Sequence, residues 1–162
     1  MIERGLDAGS LGRPLRVLAL GAHADDIEIG AGGTILSLLA ARPVELMWVV
    51  LTAEGVRRAE AEASAAAFSI DAVSCEVEIH DLPGAYLPTV WADAKRLVES
   101  HKAAEPDLVF THHRGDRHQD HALVAELTWN SFRDHLILEY EIPKYEGDLG
   151  APNAFVDLTE EG

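Results

Sequence analysis

Histidine and carboxylate side chains are concentrated in a short stretch near the start of the chain. Between Gly21 and Gly30, one imidazole and three carboxylates fall within six positions, at His23, Asp25, Asp26 and Glu28. In a tight turn or a first helical turn, His23 and Asp26 can point the same way because they are three residues apart, whereas Asp25 is rotated off that face. Two of these side chains could therefore bind a metal ion and leave Asp25 for proton transfer.

A second cluster lies at 111–121, which contains four of the chain's eight histidines. Within it, His118 and His121 are again three residues apart. Together with His23 and Asp26, His121 would form a site of two histidines and one carboxylate with an open position for water. This type of ligand set is expected of a hydrolytic zinc centre rather than of a closed structural site.

Each cluster, taken alone, could instead have a purely structural role. A surface histidine, or a pair of aspartates at the start of a helix, more often serves as a helix cap or a solvated charge. Two such clusters in one domain, each following a predicted strand, favour the metal site. The histidines at His80, His101 and His135 have no such context, and we expect them on the surface or in packing.

Short apolar runs alternate with helical patterns along the chain. Strands are predicted at 15–20, 44–52, 73–79, 107–111 and 136–141, and a loop is predicted at 21–33. Helices are predicted at 34–41 and 57–68, after a cap at Thr89, and after a cap at Asp116. This alternation predicts an α/β fold with a mostly parallel sheet and helices on both faces. Ligands bind such folds beyond the carboxyl ends of the strands, where the loops after the first and fourth strands carry both clusters.

Length and composition indicate one globular domain. With 162 residues, 48% of them apolar, the chain can bury a single core, predicted at 14–162 after an N-terminal arm at 1–13. The arm lacks the pattern of a secretory signal, and no apolar run reaches the roughly 20 residues of a membrane span, so a cytoplasmic location is expected. Cys75 is the only cysteine, which excludes an internal disulfide and any multi-cysteine metal site.

The charge and the glycines limit the ligands. A formal charge of −15 argues against non-specific binding of nucleic acid. Gly30, Gly32 and Gly33 suggest a phosphate-binding loop as an alternative, but the G-x-G-x-x-G spacing is absent after the first strand, which favours a structural role. Whether the chain forms a homo-oligomer is left open.

The motifs resemble those of the PIG-L (LmbE-like) deacetylase family. They are His23-Ala24-Asp25-Asp26, then Gly30-Ala31-Gly32-Gly33-Thr34, and Asp116-Arg117-His118-Gln119-Asp120-His121, and the resemblance extends from about Leu15 to Trp129. It implies a Rossmann-like three-layer α/β sandwich and zinc-dependent hydrolysis of the N-acetyl group of an N-acetylglucosamine-type sugar conjugate. Two departures are Ala24, where the family usually has proline, and a C-terminal part shorter than usual by several tens of residues.

The resemblance also implies a role for each matching residue. By position, His23, Asp26 and His121 match the metal ligands and Asp25 the general base. His118 matches the residue that stabilises the tetrahedral intermediate or protonates the amine, and Asp120 matches the partner that orients His118. Two other functions stay open: hydrolysis of another amide or ester, and a metal- or sugar-binding domain without turnover because of the short C-terminal part.

Overall fold

The computed structural model describes residues 12–144, 147 and 149–158. Its strands are β1 (Leu15–Gly21), β2 (Val44–Val50), β3 (Ser74–Ile79), β4 (Leu108–His112) and β5 (Leu136–Tyr140). Its α-helices are α1 (Asp26–Gly30), α2 (Gly32–Ala41), α3 (Gly55–Phe68), α4 (Trp91–Ser100) and α5 (Gln119–Ser131). Two 3₁₀ turns, Leu87–Val90 and His101–Ala104, flank α4. Among the described helices, none has the length and apolarity needed to cross a bilayer.

The five strands form one parallel sheet in the order β3-β2-β1-β4-β5. The predicted α/β class is confirmed, and β3 lies at an edge of the sheet. Because β1 pairs with β2 on one side and β4 on the other, the chain reverses its direction of winding at β1. Doubly wound folds bind ligands beyond the strand ends at this reversal point.

Side chains of β1 alternate between two apolar layers. Val17 and Ala19 pack into one layer with residues of α2 and α3, whereas Leu18 and Leu20 pack into the other with residues of α4 and α5. Six of the seven β1 residues are buried. A strand covered on both faces needs a nearly continuous apolar run, which is why the sequence signal for β1 was clear.

Three local predictions were wrong or incomplete. The predicted loop at 21–33 contains the short helix α1 and the start of α2. The N-cap of α5 is His118, whose Nδ1 accepts from the N–H of Asp120, and not Asp116. Arg13, predicted in the arm, donates to both carboxylate oxygens of Asp107 at 2.8 Å. Residues 1–11 of that arm and 159–162 lie outside the described residues, so the division at 1–13 and 14–162 stays a prediction.

Gly30 at the end of α1 allows Tyr140 to reach the strand ends. A Cβ at Gly30 would lie 2.1 Å from Cδ2 of the Tyr140 ring, which is far inside van der Waals contact. The ring is buried, and its hydroxyl donates to the carbonyl of Leu20 at 2.7 Å. The glycine is therefore required by a close approach beside the candidate site.

We expect Gly30→Ala to lower the free energy of unfolding by about 1–3 kcal/mol because it overpacks this contact. Helix propensity alone would predict a gain of up to about 1 kcal/mol, so the sign of the change is informative. Urea denaturation of the variant measures it. In a Tyr140→Ala background the same substitution should lower the free energy of unfolding by less. An equal decrease in both backgrounds would contradict the contact between Gly30 and Tyr140.

Candidate active site

The two predicted clusters meet at the carboxyl ends of β1 and β4. His23 and Asp26 follow β1, and His121 lies in the first turn of α5, which follows β4. Nδ1 of His23 lies 3.0 Å from Nε2 of His121 and 3.3 Å from the Asp26 carboxylate, which is itself 3.3 Å from Nε2 of His121. The three side chains thus present their donor atoms to one another.

Second partners fix which nitrogen of each histidine faces the centre. Nδ1 of His121 donates to the carboxylate of Asp116 at 2.9 Å, which leaves the Nε2 lone pair facing His23. Nε2 of His23 lies 3.1 Å from the carboxylate of Asp120 and donates to it, which leaves its Nδ1 lone pair facing His121. A carboxylate behind each imidazole is the usual arrangement around a metal-binding histidine.

The donor set fits a divalent metal ion. Two ligands about 2.0–2.1 Å from zinc at the tetrahedral angle lie roughly 3.3 Å apart. The two imidazole nitrogens are 3.0 Å apart, and the Asp26 carboxylate lies 3.3 Å from His23 through Oδ2 and 3.3 Å from His121 through Oδ1. Two lone pairs 3.0 Å apart repel each other unless a cation or a shared proton lies between them. Burial opposes a charge on His23, yet its pairing with Asp26 and Asp120 raises the pKa of His23, so this nitrogen pair attracts positive charge.

Asp26 is the buried anion of the centre, with 3% of its surface exposed. Burial alone would raise the pKa of its carboxyl, but the contacts with the rings of His112, His121 and His23 outweigh burial and hold that pKa below its usual range. The N–H of His23 also donates to Asp26 at 2.6 Å. Asp26 is therefore ionised at neutral pH and available as a ligand.

His112 is a site residue that sequence reasoning missed. It is fully buried at the end of β4, where its Nε2 lies 3.0 Å from the Ala22 nitrogen, 3.2 Å from Asp26 and 3.3 Å from the Tyr140 hydroxyl. Burial and the neighbouring His121 lower the pKa of His112 to about 4 despite Asp26. Asp26, His112 and His121 form one of two groups of possible metal donors among the described residues, and neither group is the predicted set of His23, Asp26 and His121. Because Nε2 of His112 accepts from the N–H of Ala22, we assign His112 to fixing the start of the loop that carries His23 and Asp26.

His118 faces the cleft as a neutral imidazole. Burial, followed by the nearby His121 and His23, lowers the pKa of His118. Its Nδ1 accepts from the N–H of Asp120 at 3.2 Å, so the neutral ring carries its proton on Nε2. His118 can thus donate a hydrogen bond to a bound substrate. It also belongs, with His23 and His121, to a further group of possible metal donors.

Asp120 pairs with partners other than the one predicted. Its fully buried carboxylate accepts from the N–H groups of Ala85 at 2.6 Å and Leu87 at 3.1 Å, in addition to contacting His23. Its described hydrogen bond with His118 comes from its backbone N–H. In this structure the Asp120 carboxylate therefore orients His23, and it also holds the loop around Ala85, which has a positive φ of 63°.

An open cleft of about 760 Å³ adjoins these residues. Its walls come from the loops after β1, β2 and β3 and from His118, and they include Asp25, which is exposed. The volume falls within the range of small-molecule sites. The remaining histidines pack elsewhere: His80 pairs with Glu78, the buried His101 contacts the Leu97 carbonyl, and His135 packs on Phe132.

The carboxylate behind His121 offers a test of the centre. Asp116 accepts from Lys144 at 2.5 Å as well as from His121, and although burial opposes it, these partners lower the pKa of Asp116 to about 2. We expect Asp116→Asn to weaken zinc affinity by about 10- to 100-fold because the amide orients His121 poorly. Competition with a chromophoric chelator measures the affinity, and the exposed Asp134→Asn is the control. Equal zinc affinities of Asp116→Asn and Asp134→Asn would contradict the proposal that Asp116 orients His121.

Comparison with known proteins agrees with these features. The model of the family described as PIG-L, GlcNAc-PI de-N-acetylase, matches residues 18–132. The chain belongs to the PIG-L family. Both clusters lie within the matched segment. This is a family of deacetylases, and the resemblance found in the sequence is confirmed.

Relatives of this PIG-L chain share its fold. The uncharacterized deacetylase YaiS of Escherichia coli K12 is 29% identical over 158 residues, 90% of this chain and 83% of YaiS. The structure of N,N'-diacetylchitobiose deacetylase from Pyrococcus horikoshii is 23% identical, with a TM-score of 0.68 over 90% of this chain and 65% of that one. The structure of GalB, a 4-carboxy-2-hydroxymuconate hydratase from Pseudomonas putida KT2440, is 22% identical, with a TM-score of 0.57 over 72% of this chain and 55% of that one. The chain therefore spans about two thirds or less of these two solved structures.

Proposed function

We propose that this PIG-L chain hydrolyses the N-acetyl group of an N-acetylglucosamine-type sugar conjugate, giving acetate and a free amino sugar. We further propose that one zinc ion is held by His23, Asp26 and His121. The observation that carries the proposal is the convergence of these three side chains beside an open cleft, which His23, Asp25 and His118 line.

A metal ion at this position would polarise the acetyl carbonyl and lower the pKa of a water molecule towards about 7. Asp25 is suited to act as general base because it is exposed to the cleft and follows the ligand loop directly. It accepts the proton of the attacking water while the oxygen bonds to the carbonyl carbon.

His118 donates its Nε2–H to the oxygen on which negative charge develops, which stabilises the tetrahedral intermediate. Its lowered pKa keeps it neutral before reaction, so it donates without first needing a proton from solvent. The carbon–nitrogen bond then breaks as Asp25 returns its proton to the nitrogen. The products are the amine and acetic acid, which loses a proton at neutral pH to give acetate, and Asp25 is again ionised.

Acetate release from a panel of conjugates, with metal content measured on the same sample, tests the proposal. The panel contains N-acetylglucosamine, N,N'-diacetylchitobiose and an O-acetyl ester of glucose. Acetate from the amides with about one zinc per chain supports the proposal. Acetate from the ester alone would favour an esterase, metal without acetate would favour a binding domain, and failure to bind zinc in a titration would refute the centre.

A further inference from the structure

The walls of the cleft carry more negative than positive charge. Three carboxylates line it, at Asp25, Glu54 and Asp81, against one guanidinium at Arg57. Arg57 in turn lies 3.6 Å from Glu60 one turn along α3, so part of its charge is already paired. A ligand in the cleft therefore meets a surplus of carboxylates.

The buried part of the site does not offset this surplus. Asp26, Asp116 and Asp120 are buried there, with Lys144 as the cation that pairs with Asp116. These three carboxylates would balance the charge of Lys144 together with that of a bound divalent ion. The exposed walls thus set the sign of the field that an arriving substrate experiences.

Helix N-termini around the cleft are also matched with carboxylates. Glu54 is the N-cap residue of α3, and Asp120 lies in the first turn of α5. A helix N-terminus can attract phosphate through its partial positive charge, and a carboxylate beside it opposes that attraction by Coulomb repulsion. Glu54 and Asp120 therefore make these two helix ends poorer positions for an anion.

We infer that the cleft selects acetylated amino sugars whose neighbouring groups are uncharged or carry an amine, and that it discriminates against phosphorylated or carboxylated conjugates. The inference rests on the proposed function and specifies its substrate class. A phosphate brought beside several carboxylates at low salt loses binding by Coulomb repulsion, whereas an ammonium gains it. We expect a disadvantage of about tenfold or more in kcat/KM for a phosphorylated substrate, and the gap should narrow as salt screens the charges.

Two measurements test the inference. Acetate release is compared for N-acetylglucosamine, its 6-phosphate, and a disaccharide in which glucosamine is linked to N-acetylglucosamine. Calorimetric binding of the products glucosamine and glucosamine 6-phosphate is measured in parallel, because binding does not require turnover. The wild type is compared with Glu54→Gln/Asp81→Asn, and the exposed Glu126→Gln on α5 serves as a charge-matched control for a single carboxylate.

The outcomes separate this inference from the proposed function. The inference is supported if the phosphorylated compounds bind more weakly and turn over more slowly than the unphosphorylated ones. This difference should become smaller in the double variant and stay the same in Glu126→Gln. Absence of acetate with the binding preference retained would refute the deacetylase proposal and leave the charge preference standing. Equal or tighter binding of glucosamine 6-phosphate, or a preference unaffected by the double variant, would overturn the inference.

Discussion

Asp25→Asn is expected to lower kcat for acetate release by about 10²- to 10⁴-fold while zinc content stays at the wild-type level. The amide cannot accept the proton of the attacking water, so the step that depends on a general base is lost. The expectation follows from the contrast between Asp25, which is exposed to the cleft, and Asp26, which is 3% exposed among three imidazoles. Steady-state kinetics and metal analysis on the same preparations measure both quantities.

The matched control for Asp25 is Asp71→Asn, which removes a carboxylate from an exposed turn before β3. It should leave kcat and zinc content unchanged. If Asp25→Asn retained wild-type kcat, Asp25 would not be the base. If it lost zinc, the assignment of Asp25 and Asp26 to separate roles would be wrong.

His121→Ala is expected to abolish stoichiometric zinc binding and with it acetate release. The substitution removes one of three donors and leaves the carboxylates of Asp26 and Asp116 buried without this histidine. The wild-type protein should gain thermal stability with zinc, since a ligand at 1,000 times its Kd contributes about 4 kcal/mol to folding. The variant should show no such gain.

Measuring Tm with and without zinc separates loss of metal from loss of the fold. His80→Ala is the control because His80 is bonded to Glu78 and lies outside the three converging donors. A cooperative transition that zinc no longer shifts is the expected result for His121→Ala. A zinc-dependent rise in Tm equal to that of the wild type would exclude His121 as a ligand.

The fold, and the approach of His23, Asp26 and His121 to one edge of the sheet, could be predicted from the sequence because both depend on local patterns. Strands such as β1 are covered on both faces and therefore appear as apolar runs. His23 and Asp26 lie in one loop and His121 in another, and the topology of alternating strands and helices is enough to bring such loops to the same edge. The convergence of these donors followed from order along the chain without knowledge of any contact.

The partners behind the donors could not be predicted in this way. Asp116 was expected to cap α5, but its side chain accepts from His121 and Lys144, which reaches it from 28 positions away. Asp120 was expected to orient His118, but its carboxylate contacts His23 and the loop at Ala85. His112 adjoins a predicted strand, and only packing shows that its ring stacks on His121, with centroids 3.9 Å apart. Such pairings depend on tertiary distances that a single sequence does not state.

The separation of the candidate ligands along the chain has a consequence for biosynthesis. His23 and His121 are 98 positions apart, so a ribosome completes β1, β2, β3 and β4 before the second imidazole is made. The nascent N-terminal part offers zinc only His23 and Asp26 of this donor set. If the proposed site binds a metal ion, it can do so only after most of the domain has been synthesised, since domains form as units once their elements are complete. A bound ion would mark a polypeptide translated at least through α5.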